Sequence, residues 1–151
     1  MKRLLFLLIM QTIVVHAEKL ENTCHEIHLN TCHEIPLDLL KEILPHNPVI
    51  LEAGAHCAQD TRWMAEVWPQ GTIHAFEPTP VNFNCVCSVA QQYSNIKCYA
   101  YALDYECGVK LFYQDGDEDR GTQGANSLLP HKLLQKSSNS PIKVECLTID
   151  V

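Results

Sequence analysis

The sequence has few basic residues, few glycines and no apolar run long enough for a comfortable membrane span. Its 151 residues include 11 lysines and arginines against 18 aspartates and glutamates, a formal net charge of −7. Because negative charge repels phosphate backbones, nucleic acid is not an expected partner. Six glycines without a repeat exclude a collagen-like chain. The most apolar stretch, residues 4–15, is too short to cross a bilayer as a mature helix.

The first seventeen residues have the pattern of an export signal. Lys2 and Arg3 precede the apolar stretch, and Val15-His16-Ala17 offers small residues at the two positions that a signal peptidase inspects. We therefore predict a signal peptide over residues 1–17 and export to the periplasm, the secretory lumen or the exterior. The alternatives are an uncleaved anchor, which would be the one contact with a membrane, and an N-terminal core helix.

Residues 18–46 are expected to form a linker that ends in a helix. Asn22-Thr23-Cys24-His25-Glu26-Ile27 recurs eight residues later, at residues 30–35. Cysteine and histidine are the usual zinc ligands, but this spacing matches no established zinc pattern and contains no CxxC, so we predict no metal site. From Pro36 onward, leucines and an isoleucine form a helical apolar stripe that Pro45 closes.

Eight cysteines would permit disulfides in an exported chain. A disulfide-rich interaction domain is therefore one hypothesis, and it predicts oxidised thiols. Cys85 and Cys87 lie two apart on a predicted helix, however, where side chains do not face each other. We expect most of the thiols to be small core residues and predict no particular bridge.

Strands and helices alternate through the middle of the chain. The pattern predicts strands over 49–51, 72–76 and 95–102, a helix over 58–68, and a helix from Pro80 to about Tyr93 with Thr79 as its cap. This order is typical of parallel crossovers, so we predict an α/β domain with a Rossmann-like sheet. Further strands are predicted over 108–113 and 142–149. Residues 115–124 resemble a calcium loop, but Arg120 replaces its glycine, so we expect a solvated loop.

Two acids and one glycine are the sharpest chemical feature of the sequence. Glu52 and Gly54 end the first predicted strand before a helix, where a backbone can approach a ligand closely. We expect Glu52 to meet a positive group of that ligand. Glu77 ends the second predicted strand, where an acid can accept hydrogen bonds from ribose hydroxyls; the alternative is a solvated carboxylate. A dinucleotide fits less well, because residues 55–58 lack the remaining glycines of the three-glycine fingerprint.

These segments resemble the motifs of the FkbM-type methyltransferases. Residues 49–61, VILEAGAHCAQDT, resemble the first motif of that family, and residues 76–83, FEPTPVNF, closely resemble its second. Residues 102–104, 126–128 and 147–150 resemble later landmarks. The resemblance covers about residues 47–151, and its "FEP" segment is the most specific part.

The resemblance implies a class I methyltransferase fold with S-adenosylmethionine as methyl donor. By position, the turn at Gly54, Ala55 and His56 would cradle the methionine part, Glu77 would hold the ribose, and Asp104 would lie near the adenine. The acceptor would be a hydroxyl of a sugar, glycan or small metabolite. Catalysis would consist largely of aligning that oxygen with the methyl group, helped by a general base that the sequence does not identify.

Departures from the family pattern keep a second hypothesis open. His56 and Ala58 replace the usual Asn and second Gly of the first motif. A doubly wound sheet has strands on both sides of its first strand. Here we expect neighbouring strands on at most one side, so we predict a fold that is incomplete at its C-terminus. The methyl donor is also made in the cytosol, which conflicts with export. The alternative is an exported non-catalytic binding protein or truncated remnant that keeps only the nucleotide-binding scaffold.

Overall fold

The computed structural model describes residues 4–7, 12–16, 37–114, 126–129 and 140–149, with side chains from residue 39 onward in these ranges. The chain divides into two compact units, one within residues 1–100 and the other within residues 101–150. The repeat at residues 22–35, the acidic loop at 115–124 and Asp150 lie outside the described residues.

The described residues of the first unit form a five-stranded sheet with three helices. Its elements are β1 (Leu4–Leu7), β2 (Thr12–His16), α1 (Leu37–Ile43), β3 (Val49–Ala53), α2 (Gln59–Val67), β4 (Thr72–Phe76), α3 (Pro80–Ala90) and β5 (Ile96–Tyr99). The strands lie in the order β1-β2-β3-β4-β5. β3, β4 and β5 are parallel, whereas β1 and β2 are antiparallel to their neighbours. The predicted α/β class is thus confirmed as a mixed fold with a parallel three-stranded sheet.

A row of isoleucines across the parallel strands forms the centre of the core. Ile50 pairs with Ile73, and Ile73 pairs with Ile96. All three side chains are buried, in one cluster with residues of α1 and α2 and with Trp68. Burying a side chain of this size stabilises the fold by about 1.5–3 kcal/mol. The apolar alternation of the strands therefore fixes which face of the sheet the helices cover.

Two sequence predictions about this sheet are wrong. The strand predicted over 95–102 ends at Tyr99, and Ala102 starts a strand of the second unit. Neighbours were expected on at most one side of the first predicted strand, but β2 pairs with the other side of β3, with Ile13 opposite Glu52. β1 and β2 lie inside the predicted export signal, which stays a prediction. Among the described residues, no helix has the length and apolar character needed to cross a membrane.

In its described residues, the second unit forms a three-stranded sheet. It contains β6 (Ala102–Leu103), β7 (Gly108–Phe112) and β8 (Ile142–Leu147), with β8 in the centre. β6 is parallel to β8, and β7 is antiparallel to it. Ala102, Phe112, Val144 and Cys146 form its buried cluster. The two strands predicted from the sequence are confirmed, each ending slightly earlier than expected.

Candidate functional site

The turn between β3 and α2 is tied to the end of β4 by backbone hydrogen bonds. The amides of Gly54 and Ala55 both donate to the carbonyl oxygen of Phe76, at 2.8 and 3.0 Å. Gly54 has a φ of +80°, and an added Cβ would meet no described atom within 4 Å. Glycine is therefore needed here for its backbone conformation, and the space in front of it is open to a ligand.

Two further residues of this turn have left-handed backbone conformations. His56 has a φ of 49° and Ala58 a φ of 60°. For residues with a Cβ this conformation costs roughly 1–2 kcal/mol each, and glycine or asparagine adopt it more readily. Ala58 precedes the first residue of α2 and is almost completely buried. The turn thus holds strain at two positions next to the open surface of Gly54.

Glu77, which follows β4, accepts hydrogen bonds from both neighbouring loops. Its Oε2 accepts from the amide of His56 at 2.8 Å. Its Oε1 accepts from the amide and the hydroxyl of Thr79, at 2.9 and 2.6 Å. The residue is 4% exposed, so the alternative of a solvated carboxylate is wrong. Since a carboxylate offers about four acceptor positions, one position remains for a further donor.

Thr79 has the predicted position at the start of α3 but not the capping bond. It is the N-cap residue, and Pro80 follows at the start of the helix as the sequence predicted. Its hydroxyl donates to Glu77 and makes no capping hydrogen bond to the helix. Sequence reasoning missed this role, although the polar residue two positions after Glu77 is a visible signal for it.

Glu52 is buried beneath the turn rather than presented to solvent. It is 1% exposed, and its Oε2 accepts a hydrogen bond of 2.6 Å from the hydroxyl of Thr61 in α2. Burial raises the pKa of Glu52 to about 7, and the negative charges of Asp60 and Glu77 act in the same direction, whereas the Thr61 bond opposes them. Near neutral pH the carboxyl is therefore divided between its neutral and charged forms.

Asp104, the remaining predicted site residue, belongs to the second unit. Its carboxylate pairs with the ammonium of Lys110 and accepts a 2.7 Å hydrogen bond from the amide of Tyr105. The Lys110 contact lowers the pKa of Asp104, and the Tyr105 amide adds to this effect. Lys110 also lies over the ring of Tyr105, 4.5 Å from its centre. The structure thus shows Asp104 in a local ion pair.

An aromatic group adjoins the carboxyl ends of β4 and β5. The rings of Phe76 and Tyr99 stack with their centres 4.7 Å apart. The hydroxyl of Tyr99 lies 2.9 Å from Nδ1 of His74. Burial, and secondarily the charge of Lys97, lowers the pKa of His74. No sequence pattern indicates this group, because its members come from two strands and share no motif.

The described residues contain no metal-binding cluster, and an open groove among them lies outside the candidate site. No group of three or more histidine, cysteine, aspartate or glutamate side chains is arranged to hold a metal ion in this part of the chain. An open groove of about 550 Å³ includes none of the predicted site residues and is lined by Lys41, Leu44, His46 and residues 67–70. The candidate site is the turn with its two buried glutamates, and the groove does not include them.

Comparisons with known proteins add no assignment to this geometry. No protein-family model and no curated protein matches the sequence.

Proposed function

We propose that the protein is an S-adenosylmethionine-dependent methyltransferase of the FkbM type, with a Rossmann-like class I fold. The observation that carries this proposal is the joining of Glu77 to the glycine turn. The buried acid that follows β4 accepts a hydrogen bond from the turn that follows β3. Ligands of open parallel sheets bind at the carboxyl ends of the strands, and acids at this position bind ribose hydroxyls in nucleotide-binding crossovers.

The strained positions in the turn support the same proposal. His56 and Ala58 stand where the resembling family has Asn and Gly, and both have positive φ angles. Asn and Gly are the residue types that adopt this conformation most readily. The backbone therefore has the form that the family's residues favour, even though the side chains differ.

The residues present leave room for the cofactor but offer it few free hydrogen-bond donors. The amides of Gly54 and Ala55 are bonded to Phe76, and that of His56 is bonded to Glu77. The turn thus offers an open surface over Gly54, while the remaining acceptor position of Glu77 can receive a ribose hydroxyl.

When bound, S-adenosylmethionine would supply an activated methyl group on its sulfonium. The protein's contribution would be to hold the donor and orient an acceptor hydroxyl of a sugar, glycan or small metabolite. Gly54, Ala55, His56 and Glu77 would hold the cofactor, whereas the buried Glu52 would act through its hydrogen bond from Thr61. Asp104 stays a position carried over from the resemblance.

A non-catalytic scaffold is the second candidate, and one observation favours it. Three turn amides and three of the acceptor positions of Glu77 are satisfied within the protein. The site is therefore complete as a structural element without any ligand. Such a protein would keep the turn and the acid for stability alone.

Calorimetric titration of S-adenosylmethionine into the full chain tests the proposal. Gly54→Ala would place a methyl group on the proposed cofactor surface. Gly108→Ala in β7 is the matched control, because Gly108 also has a positive φ and open space in front of its Cα among the described residues. We expect saturable binding that Gly54→Ala weakens at least tenfold and Gly108→Ala leaves unchanged. A folded chain that does not bind would overturn the proposal and favour the scaffold.

A further inference from the structure

Helix α3 directs two cysteines toward different neighbours. Cys85 and Cys87 are two residues apart, so they point to different sides of the helix, as the sequence predicted. Cys85 is exposed, and its thiol lies 3.7 Å from the carbonyl oxygen of Val81. Cys87 is half-buried and faces β5. The six described cysteines are free thiols, and Cys146 alone among them is buried, so the expectation of mostly core cysteines is wrong.

The sulfur atoms of Cys87 and Cys98 lie 3.5 Å apart. Cys98 belongs to β5, where it pairs with Ala75 of β4 and packs at the edge of a small cluster that includes the buried Val86. The two sulfurs therefore meet in the contact between α3 and the sheet. A disulfide needs its sulfurs at about 2.05 Å, so bridging them requires a local approach of roughly 1.5 Å.

We propose that Cys87 and Cys98 form a redox-active pair that oxidises to a disulfide joining α3 to β5. The proposal is independent of the proposed enzymatic function. The bridge would hold the helix that starts directly after Glu77 and Thr79, and so would restrain one side of the candidate site. It would close a loop of about a dozen residues, which stabilises the folded state by restricting the unfolded chain.

The oxidant would be a low-molecular-weight disulfide such as oxidised glutathione. The thiolate of one cysteine attacks a sulfur of this disulfide and releases one small thiol. The second cysteine then attacks the mixed disulfide and releases the other small thiol. One protein S–S bond replaces two S–H bonds, and the two protons end on the two released thiols. Burial and the neighbouring thiol of Cys98 raise the pKa of Cys87, so the reaction is best run at mildly alkaline pH.

Peptide mapping after oxidation tests the pairing directly. Trypsin would place Cys87 in the peptide 63–97, together with Cys85, and Cys98 in the peptide 98–110, together with Cys107. In the full-length double variant Cys85→Ser/Cys107→Ser, a link between these peptides can only join Cys87 to Cys98. Both substituted residues are exposed, so we expect the variant to fold.

We expect oxidised glutathione to convert the double variant to a species 2 Da lighter that contains this linked pair. Adding Cys98→Ser should abolish the link. The unfolding midpoint of the oxidised protein should exceed that of the reduced protein by roughly 5–15 °C. As a second measurement, fragmentation of the linked peptides from the unsubstituted chain should place the bond at Cys87 rather than Cys85.

Two results would overturn the proposal. One is an unlinked pair of peptides after full exposure of the folded chain to the oxidant. The other is a bond from Cys85 to Cys57 formed while Cys87 and Cys98 stay reduced, so that peptide 63–97 is linked to peptide 42–62 and not to peptide 98–110. The pKa of the Cys57 thiol is raised by burial and then by the nearby Cys85, so this competing pair lies within the same region.

Discussion

The backbone amide of His56 donates a 2.8 Å hydrogen bond to the buried carboxylate of Glu77, twenty-one residues further along the chain. This bond joins the turn after β3 to the residue that follows β4. Because His56 donates through its backbone, the contact does not depend on its imidazole. Glu77 therefore organises the candidate site whether or not a ligand binds there.

Glu77→Gln should destabilise the first unit by about 1–3 kcal/mol. Oε1 and Oε2 each accept from a backbone amide, so either orientation of the glutamine would place its NH₂ group against an N–H donor. Urea unfolding followed by tryptophan fluorescence measures the loss, since both tryptophans, Trp63 and Trp68, lie in this unit. Glu42→Gln in α1 is the control, because Glu42 is exposed. Equal midpoints for the two variants would contradict the prediction.

Substitutions of His56 should follow backbone preference rather than side-chain chemistry. His56 has a φ of 49°, so His56→Asn should raise the free energy of unfolding by about 0.5 kcal/mol. His56→Val should lower it by about 1 kcal/mol, because a β-branched residue tolerates this conformation poorly. Urea unfolding of both variants measures their free energies of unfolding and so shows which is more stable. His46→Asn is the control, because His46 does not have a positive φ. If His56→Asn proves less stable than His56→Val, the strain argument is contradicted.

The alternation of the sequence was sufficient to predict β4 but not the end of β5. In β4, Ile73 and Ala75 are buried, and glycine and proline lie beyond its two ends. After Tyr99 the chain continues through apolar residues into Ala102, which belongs to a different sheet. One apolar run serves two units, and the pattern contains no polar break at the point where they divide.

The sequence was sufficient to predict the two acids of the candidate site but not the groups that donate hydrogen bonds to them. Glu52 and Glu77 were recognised because each is an acid near the carboxyl end of a predicted strand. The bond from His56 to Glu77 comes from a backbone amide, which every residue except proline carries, so the residue type gives no signal for it. The bond from Thr61 to Glu52 depends on how α2 packs on β3. Such contacts follow from tertiary geometry rather than from local sequence.

Asn95→Asp should destabilise the first unit by about 2 kcal/mol. The side-chain amide of Asn95 donates to the carbonyl oxygens of Ala65 and Trp68, at 3.2 and 3.0 Å, and so satisfies the C-terminal end of α2. A carboxylate there would face two acceptors without a proton to donate. Asn84→Asp is the control, because Asn84 is exposed on α3. Thermal unfolding that ranks the two variants equally would show that this end of α2 does not need the bond.

The stability of the first unit should depend on pH through Glu52. Burial raises the pKa of Glu52 from 4.5 to about 7, so the folded protein holds the proton more tightly than the unfolded chain. Below pH 4.5 the buried carboxyl therefore has little effect on the free energy of unfolding. As the pH rises through 7, the carboxyl ionises and lowers the free energy of unfolding progressively. Glu52→Gln keeps an acceptor for Thr61 but cannot ionise. Between pH 5 and 8, the free energy of unfolding of this variant should therefore rise by about 2 kcal/mol relative to that of the unsubstituted protein. Glu42→Gln is the reference, because its carboxyl is exposed. If stability changes with pH in the same way in Glu52→Gln and Glu42→Gln, Glu52 is not held in a desolvated state.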